Sequence, residues 1–343
     1  MAGVSTGTVD RVIHNRGEVS ELSRAAVQKV LDDINYQPNM MARALASKKQ
    51  YLFVCLIPDY EPGEYWQTVE LGIDKALEDF GQYNIQIQKI TYNQYDEQSF
   101  IAAAEELIAY QPHAVLIAPI FRSETLRLVS KLQGLKIPFS FLDSMIDNVD
   151  FVSYYGQDSK QSGYVAAKLL TASLTASAKL LVVRTKRKGE SFSNQTMGRY
   201  QGFLQYLHEH HFDNELVKIE LMDEDSDNHG NSTALTAVLE QNPGIGAMIT
   251  FNSKVFKLAD FLSERNYKHI VLGGYDLLAS NVAHLKNGNI EFLIAQRPEQ
   301  QSYYAIRDMC YVLVFNREVN AINFMPIDVL MKENIDYYMQ FDD

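Results

Sequence analysis

From Tyr51 onward, short apolar runs alternate with helical patterns, and this alternation limits the possible folds more than any other feature of the sequence. Such runs are typical of strands in a parallel sheet that is covered on both faces. In chain order they are YLFVCLI, IQIQKI, AVLIAP, PFSFL, KLLVV, VKIEL, GAMIT, HIVLGG, FLIAQ and IDVLM. The spacing between them predicts helices at 65–80, 97–110, 123–133, 159–173, 195–210, 231–241, 254–265, 277–286 and 299–316. The pattern predicts an α/β protein with two doubly wound parallel-sheet lobes and a cleft between them.

Length and charge restrict the kind of protein further. The 343 residues exceed a usual single domain, and 46% hydrophobic residues can fill more than one core. A net charge of −12 disfavours non-specific binding of nucleic acid or membrane by most of the chain. We find no export leader and no apolar run long enough to cross a bilayer, so we expect a cytoplasmic protein. Cys55 and Cys310 lie in apolar runs and are expected to be buried thiols.

The first 50 residues differ from the rest because they carry helical patterns without strands. Ser5 is placed to cap a short helix over 6–13. Ser20 is placed to cap a second helix that runs to about Asn35 with its apolar residues on one stripe. Residues 1–50 carry 7 Lys/Arg and 5 Asp/Glu, against 24 and 38 in the remainder, so charge is weak evidence for a nucleic-acid site here. Two short helices that meet through an apolar face predict a small DNA-reading bundle.

The segments GVSTGTVDRVIHN and NYQPNMMARALA strongly resemble the headpiece of the lactose/galactose repressor (LacI/GalR) family of bacterial transcription regulators. The resemblance covers residues 2–49. It implies that 6–13 is the recognition helix, that 20–35 is the third helix of the family headpiece, and that 38–46 is a hinge helix that forms on operator DNA.

The resemblance also implies particular DNA contacts. Thr6, Gly7 and Arg11 match the positions with which the family contacts bases in the major groove. Leu45 matches the leucine that the family wedges into the minor groove to kink the central base step. Asp10 is a departure in the groove-facing helix, and two roles remain open for it: it could accept from a cytosine amino group or orient Arg11.

A second departure concerns the start of the headpiece. The family has one helix before the AGVS turn, and this sequence begins at Met1 inside the end of that helix. Without that helix we expect Val9, Val12 and Leu31 to be exposed on their apolar side and DNA binding to be weak. The prediction is a partial all-α helix-turn-helix headpiece whose partner is operator DNA, with the missing first helix needed for full affinity.

The lobes resemble the sugar-binding type I periplasmic binding protein fold, which the same repressor family uses as its effector domain. The segments FLIAQRPEQQSYYAI, LGGYDLLASNVAHLKNG and GRYQGF carry this resemblance. It implies three crossings between the lobes, near Gly156, Gln296 and Phe324. The predicted domains are a headpiece with hinge helix at 1–50, an N-terminal lobe at 51–157 plus 297–324, and a C-terminal lobe at 158–296 plus 325–343.

Seven residues match ligand-binding positions of that fold: Tyr65, Trp66, Asp143, Arg199, Asn252, Asp276 and Gln296. Tyr65 and Trp66 follow the first strand, where aromatic faces can flank a sugar ring, and packing against the sheet is the alternative. Trp66 is the only tryptophan of the chain.

The remaining five positions are polar. Asp143 and Asp276 follow strands and match carboxylates that accept from vicinal hydroxyls, although either could instead cap a helix. Arg199 can donate in a fixed fork, and Asn252 and Gln296 supply amides.

Three features leave the ligand open. Ser144 stands where sugar binders of this fold often carry an arginine after the aspartate, and the acidic loop 223–225 stands where an aromatic cover is expected. A polar, hydroxylated ligand fits best. The basic segment 186–188 is interpreted as a solvated loop. The more specific alternative is that it binds an anionic ligand.

These features together predict a ligand-responsive DNA-binding regulator, a repressor, that acts as a homodimer and binds a sugar or sugar-like effector. The alternative is a solute-binding protein of a transport or sensing system without DNA binding. A cleft hydrolase with Asp143 and Asp276 as its acid pair is the third possibility. Phosphate-cradling and dinucleotide motifs are missing, so we predict no enzyme activity and no cofactor. His208 and His211 share a helical face but have no partner at finger-like spacing, so no metal site is predicted.

Overall fold

The computed structural model describes residues 2–13, 16–34, 41, 44–45, 47–175, 177–186, 193–222 and 228–340. Its strands are β1 Tyr51–Pro58, β2 Ile85–Tyr92, β3 Ala114–Ile117, β4 Phe139–Leu142, β5 Tyr154–Gln157, β6 Lys179–Lys186, β7 Leu216–Met222, β8 Ile245–Thr250, β9 Val271–Tyr275, β10 Phe292–Ala295, β11 Ile322–Met325 and β12 Asp328–Leu330. Its helices are α1 Thr6–Ile13, α2 Glu21–Asp33, α3 Tyr65–Phe80, α4 Glu97–Ala109, α5 Arg122–Gly134, α6 Ser159–Ala172, α7 Asn194–Glu209, α8 Asn228–Gln241, α9 Val255–Glu264, α10 Ala279–Lys286, α11 Pro298–Leu313 and α12 Ile335–Met339. A single 3₁₀ turn, Gly81–Tyr83, is assigned within this part of the chain.

The strands form two six-stranded sheets of the same design. The first has the order β11-β5-β4-β3-β1-β2, and the second has the order β12-β10-β9-β8-β6-β7. We call the first sheet with its helices lobe 1, and the second with its helices lobe 2. The predicted α/β class with two doubly wound lobes is confirmed, because every pair among the described strands is parallel except β10 with β12.

Three strands differ from the prediction, two of them at sheet edges. The buried strand β5, Tyr154–Gln157, was not among the predicted runs. β11 was not predicted as a strand, since its Ile322 and Phe324 are 50% and 54% exposed and its residues do not form a buried apolar run. β12 was predicted, but it pairs antiparallel with β10, whereas the pattern suggested parallel strands throughout. Edge strands are paired on one side only, so their sequence is less constrained by burial.

The chain changes sheet at three places. It leaves lobe 1 between β5 and α6, returns between β10 and α11, and leaves again between β11 and β12. Gln157 lies at the start of the first connection and holds it to the other two. Its Nε2 donates to Ala295 O of the second at 3.0 Å and to Pro326 O of the third at 2.9 Å. The three connections therefore lie side by side.

Close helix packing positions the cleft-facing end of lobe 2. A Cβ atom at Gly163 of α6 would lie 1.8 Å from the carbonyl oxygen of Arg199 on α7. Only a glycine permits that approach, so α7 lies directly against α6. Cys55 in β1 and Cys310 in α11 are buried thiols, as predicted.

The headpiece helices pack through a small apolar contact. Val12 of α1 and Val27 of α2 are 8% and 1% exposed, which corrects the expectation that Val12 is exposed. The helices α1 and α2 are in contact. Ser20 caps α2, since its side chain accepts from Ser23 N. None of the helices that the structure describes is long and apolar enough to span a membrane.

Candidate ligand cleft and headpiece surface

A cavity of about 360 Å³ lies between the lobes. We call it the cleft cavity. All seven predicted ligand residues line it: Tyr65, Trp66, Asp143, Arg199, Asn252, Asp276 and Gln296. Residues far apart in the sequence thus converge, because parallel strands of each lobe end at the same edge of their sheet.

Asp143 and Asp276 hold corresponding positions in the two lobes. Asp143 follows β4 and its N–H donates to Tyr155 O of β5 at 3.0 Å, while Asp276 follows β9 and its N–H donates to Ile294 O of β10 at 3.0 Å. Both have left-handed backbones, with φ of 66° and 70°. An aspartate adopts this conformation at a cost, so both turns are held by their surroundings. The next helices along the chain have Asp158 and Leu278 as their N-caps, so neither aspartate is the N-cap of the helix that follows it.

The Asp143 carboxylate is held by protein donors. Tyr65 Oη donates to its Oδ1 at 3.0 Å, and Gln195 Nε2 donates to the same oxygen at 3.3 Å. Burial and the neighbouring Asp143 carboxylate raise the pKa of Tyr65 well above its usual value, so Tyr65 donates as a neutral phenol.

Asp276 has a different environment. Gln296 Nε2 donates to its Oδ1 at 2.8 Å, and the residue is only 5% exposed. Burial raises the pKa of Asp276 to about 6, although the Arg199 guanidinium and the Gln296 amide favour the ionised form. The carboxyl is therefore ionised at neutral pH and becomes protonated in mildly acidic solution.

Arg199 brings a buried cation into the cleft cavity. It is 2% exposed, donates through Nη1 to Phe251 O at 2.7 Å, and lies 4.0 Å from the ring centroid of Tyr275. Within the part of the chain that the structure describes, its Nε and Nη2 have no hydrogen-bond partner. These two nitrogens form one edge of the guanidinium fork, so the geometry can serve a pair of oxygen acceptors.

The mouth of the cleft cavity carries a contact between the lobes. Lys254 Nζ of lobe 2 lies 3.5 Å from Glu64 Oε1 of lobe 1 and donates to Tyr95 Oη at 3.2 Å. Asn252 lies beside it, and its Nδ2 donates to Thr185 Oγ1 at 3.0 Å.

The aromatic pair forms one wall. The Tyr65 and Trp66 rings meet edge to face, with centroids 5.1 Å apart, at the start of α3. Trp66 is 6% exposed and lines the cleft cavity, so packing and contact with a ligand are compatible there. Ser144, where the resemblance would place an arginine, also lines the cavity.

Sequence reasoning missed Gln195, Lys254, Glu64 and Tyr95. Gln195 lies one helical turn before Arg199 on α7, so the same face of that helix carries both side chains. That spacing was a usable signal. The contacts of Lys254 with lobe 1 depend on how the lobes meet and have no signal in local sequence.

The headpiece residues are accessible. Thr6, Gly7 and Arg11 are exposed on α1, and Arg11 Nε donates to Gly7 O at 3.2 Å. Leu45 is 51% exposed, whereas the adjacent Ala44 is 5% exposed and packs in the core of lobe 1. Ser47 is tied to the same lobe, since its carbonyl accepts from Asn84 Nδ2 at 2.8 Å. The link between headpiece and lobes is thus anchored at lobe 1.

Several predicted features lie outside the described residues. They are the end of the second helix at Asn35, most of the 38–46 hinge helix, positions 187 and 188 of the basic segment, and the acidic loop 223–225. Among the described residues, no group of three or more His, Cys, Asp or Glu side chains is arranged to hold a metal ion.

Comparison with known families agrees with this architecture. Residues 53–317 match the periplasmic binding protein domain, which defines the class as a two-lobed binding domain. Residues 1–39 match bacterial regulatory proteins of the lacI family. A crystal structure from Bacteroides fragilis, assigned as a LacI transcriptional regulator, is 38% identical with a TM-score of 0.79, covering 84% of this chain and 100% of that one. The chain belongs to the lacI family of bacterial regulatory proteins.

Other relatives are more distant. The ribose operon repressor of Lactococcus lactis is 27% identical over 214 residues, which are 62% of this chain and 59% of that protein. The regulator MalR of Streptococcus pneumoniae is 26% identical over 55% of this chain and 58% of its own length. The chain thus spans under two thirds of the length of these curated relatives. A carbohydrate solute binding protein from Agrobacterium radiobacter, in complex with D-arabinose, is 19% identical with a TM-score of 0.73, covering 86% of this chain and 99% of that one, and shows the fold alone.

Proposed function

We propose that this protein is a ligand-responsive transcriptional regulator, a repressor, that binds operator DNA through its headpiece and a sugar or sugar-like effector in the cleft cavity. The observation that carries the proposal is the combination, in one chain, of a lacI-family headpiece and a two-lobed cavity lined by polar residues of both lobes. A solute-binding protein of a transport system would not need a DNA-binding headpiece.

The chemistry of the cleft cavity supports a hydroxylated effector. Asp276 can accept hydrogen bonds, while the open edge of Arg199 can only donate them. A hydroxyl group does both, so adjacent hydroxyls can satisfy both residues at once. The Tyr65 and Trp66 rings offer apolar surface to the C–H face of a sugar ring. We assign ligand binding to the seven residues on these grounds, and we propose no catalytic role for any of them.

The headpiece supports reading of DNA by a homodimer. Thr6, Gly7 and Arg11 are exposed on α1, where bases could contact them, and the exposed Leu45 is available for the minor groove. One such helix reads few base pairs, and proteins of this design read two half-sites through a two-fold dimer. A DNA-binding regulator of this kind acts in the cytoplasm. Effector binding would change the lobe orientation and with it the spacing of the two headpieces.

The test is selection of DNA from a pool of random duplexes by the chain extended upstream of Met1 with a first headpiece helix, which we propose is needed for full affinity. We expect enrichment of a pseudo-palindromic sequence whose binding weakens steeply as salt rises. Arg11→Ala should relax base preference as well as affinity, by about 1–3 kcal/mol for the lost base contact. Leu45→Ala should reduce the bend of the bound duplex.

A matched control is Arg24→Ala, which removes a cation from the exposed face of α2 rather than from α1. It should leave base preference unchanged. Enrichment of no sequence, or equal loss of preference in both arginine variants, would contradict the assignment of α1 as the recognition helix.

A further inference from the structure

The side chain of Gln195 contacts both the opposite lobe and a lobe crossing. It lies on α7 of lobe 2 and is 7% exposed. Its Nε2 lies 3.2 Å from Asp143 O and 3.3 Å from Asp143 Oδ1 in lobe 1. The same nitrogen lies 3.0 Å from Gln296 Oε1, between β10 and α11.

These contacts join protein atoms only. They therefore contribute to closure of the cleft whatever the cleft cavity contains. Hydrogen bonds to a charged acceptor are stronger than neutral ones, and the bond to the Asp143 carboxylate is of that kind. The contact of Lys254 with Glu64 at the mouth of the cleft cavity also favours the closed cleft, but it is more exposed to solvent.

The same contacts limit what a ligand can reach. Each carboxylate oxygen has about two acceptor positions, and Oδ1 of Asp143 receives both Tyr65 and Gln195. A ligand hydroxyl that approached this oxygen would have to displace one of the two donors. Asp276 Oδ1, by comparison, accepts from Gln296 alone among the contacts of the described residues.

We infer that Gln195 is a positioning residue that closes the cleft onto Asp143 and blocks ligand hydroxyls from Oδ1 of that carboxylate. The closing role stands on protein contacts alone. The exclusion of hydroxyls rests on the proposed effector function of the cleft cavity.

The test is small-angle X-ray scattering of the full chain without added ligand, combined with acrylamide quenching of Trp66, which lines the cleft and is the sole tryptophan. Gln195→Ala should raise the ratio of open to closed molecules about ten- to a hundredfold, as loss of a hydrogen bond to a charged acceptor implies. The radius of gyration and the quenching constant should both increase. The matched control is Gln201→Ala, an exposed glutamine of the same helix, which should change neither.

A second variant keeps the side-chain volume. Gln195→Glu removes the donor and places a carboxylate against Asp143, so it should open the cleft more than Gln195→Ala does. Should either variant unfold, the other carries the test. If both variants have the radius of gyration and the quenching constant of the wild type, the inference is overturned. Because these measurements need neither DNA nor an effector, they can fail or succeed independently of the proposed function.

Discussion

Asp143 and Asp276 occupy the same place in the two lobes and differ in what surrounds their carboxylates. Both follow the strand next to the crossing strand, both have left-handed backbones, and both are buried. Asp143 accepts from the Tyr65 phenol and the Gln195 amide. Asp276 accepts from the Gln296 amide and lies in the field of Arg199. The two aspartates therefore share a backbone geometry but differ in the groups that surround their carboxylates.

The difference indicates a division of work. Asp143 is bound by protein on both sides of the cleft, which suits a carboxylate that holds the lobes together. Asp276 faces the cavity with fewer protein donors and a pKa raised to about 6, which suits a carboxylate that responds to ligand and pH. Arg199, with an open guanidinium edge, gives lobe 2 a second group that can bind a ligand. We therefore expect substitutions in lobe 2 to change recognition, and those around Asp143 to change closure.

The largest effect is expected at Arg199. Arg199→Lys keeps the charge but loses the fork, so effector affinity should fall about a hundredfold. The measurement is titration of Trp66 fluorescence with the monosaccharide that binds the wild type. Arg184→Lys is the matched control, because Arg184 is also a lobe 2 arginine over an aromatic ring, at 4.4 Å from the Tyr200 centroid, and does not line the cleft cavity. Equal losses in both variants would count against a ligand role for Arg199.

The next effect concerns stability and pH at Asp276. Its pKa is raised from 3.8 to about 6, so its contribution to folding is fully present below pH 4 and is lost as pH rises through 6. Asp276→Asn removes the buried charge. It should therefore raise the free energy of unfolding above pH 6, by on the order of 3 kcal/mol, and change it little below pH 4.

Urea unfolding at pH 4 and pH 7.5 measures this difference. Asp213→Asn, an exposed aspartate of lobe 2, serves as the control and should show no such pH-dependent gain. A variant at Asp276 that is less stable than wild type at pH 7.5 would show that the ionised carboxylate stabilises the fold instead.

The helix bounds show how far sequence reasoning reached. The helix predicted at 65–80 is observed as Tyr65–Phe80, because its apolar stripe and the preceding strand determine both ends. The positions of Asp143 and Asp276 at strand ends were predictable for the same reason, and their assignment as ligand residues remains a prediction.

The environment of those residues was not predictable. The two donors of Asp143 come from α3 and from α7, so the choice of partner depends on how the lobes meet. The raised pKa of Asp276 likewise arises from burial by residues distant in sequence. β11 escaped detection because Ile322 and Phe324 are half exposed. Periodicity reports local burial and carries no information on contacts between lobes.

The smallest effect on effector affinity is expected at the mouth of the cleft cavity. Lys254→Met removes a partly exposed ion pair with Glu64, so effector affinity should fall only about two- to fivefold. Isothermal titration calorimetry at low and high salt measures it. Lys257→Met, in the first turn of α9, which Lys254 precedes as N-cap, lies outside the cleft cavity and should have no effect. A loss as large as that of Arg199→Lys would mean that closure at the mouth, rather than lobe 2 recognition, limits binding.

The most direct test of the division of work between the two aspartates compares Asp276→Ala with Asp143→Ala. A panel of neutral monosaccharides, sugar acids and sugar phosphates is titrated against both variants and the wild type, with Trp66 fluorescence as the signal. The account predicts that a neutral monosaccharide binds the wild type and that Asp276→Ala weakens it about ten- to a hundredfold. Asp143→Ala should weaken it less while increasing the radius of gyration of the ligand-free protein. Equal losses of affinity in the two variants, or no response of the wild type to any member of the panel, would contradict it.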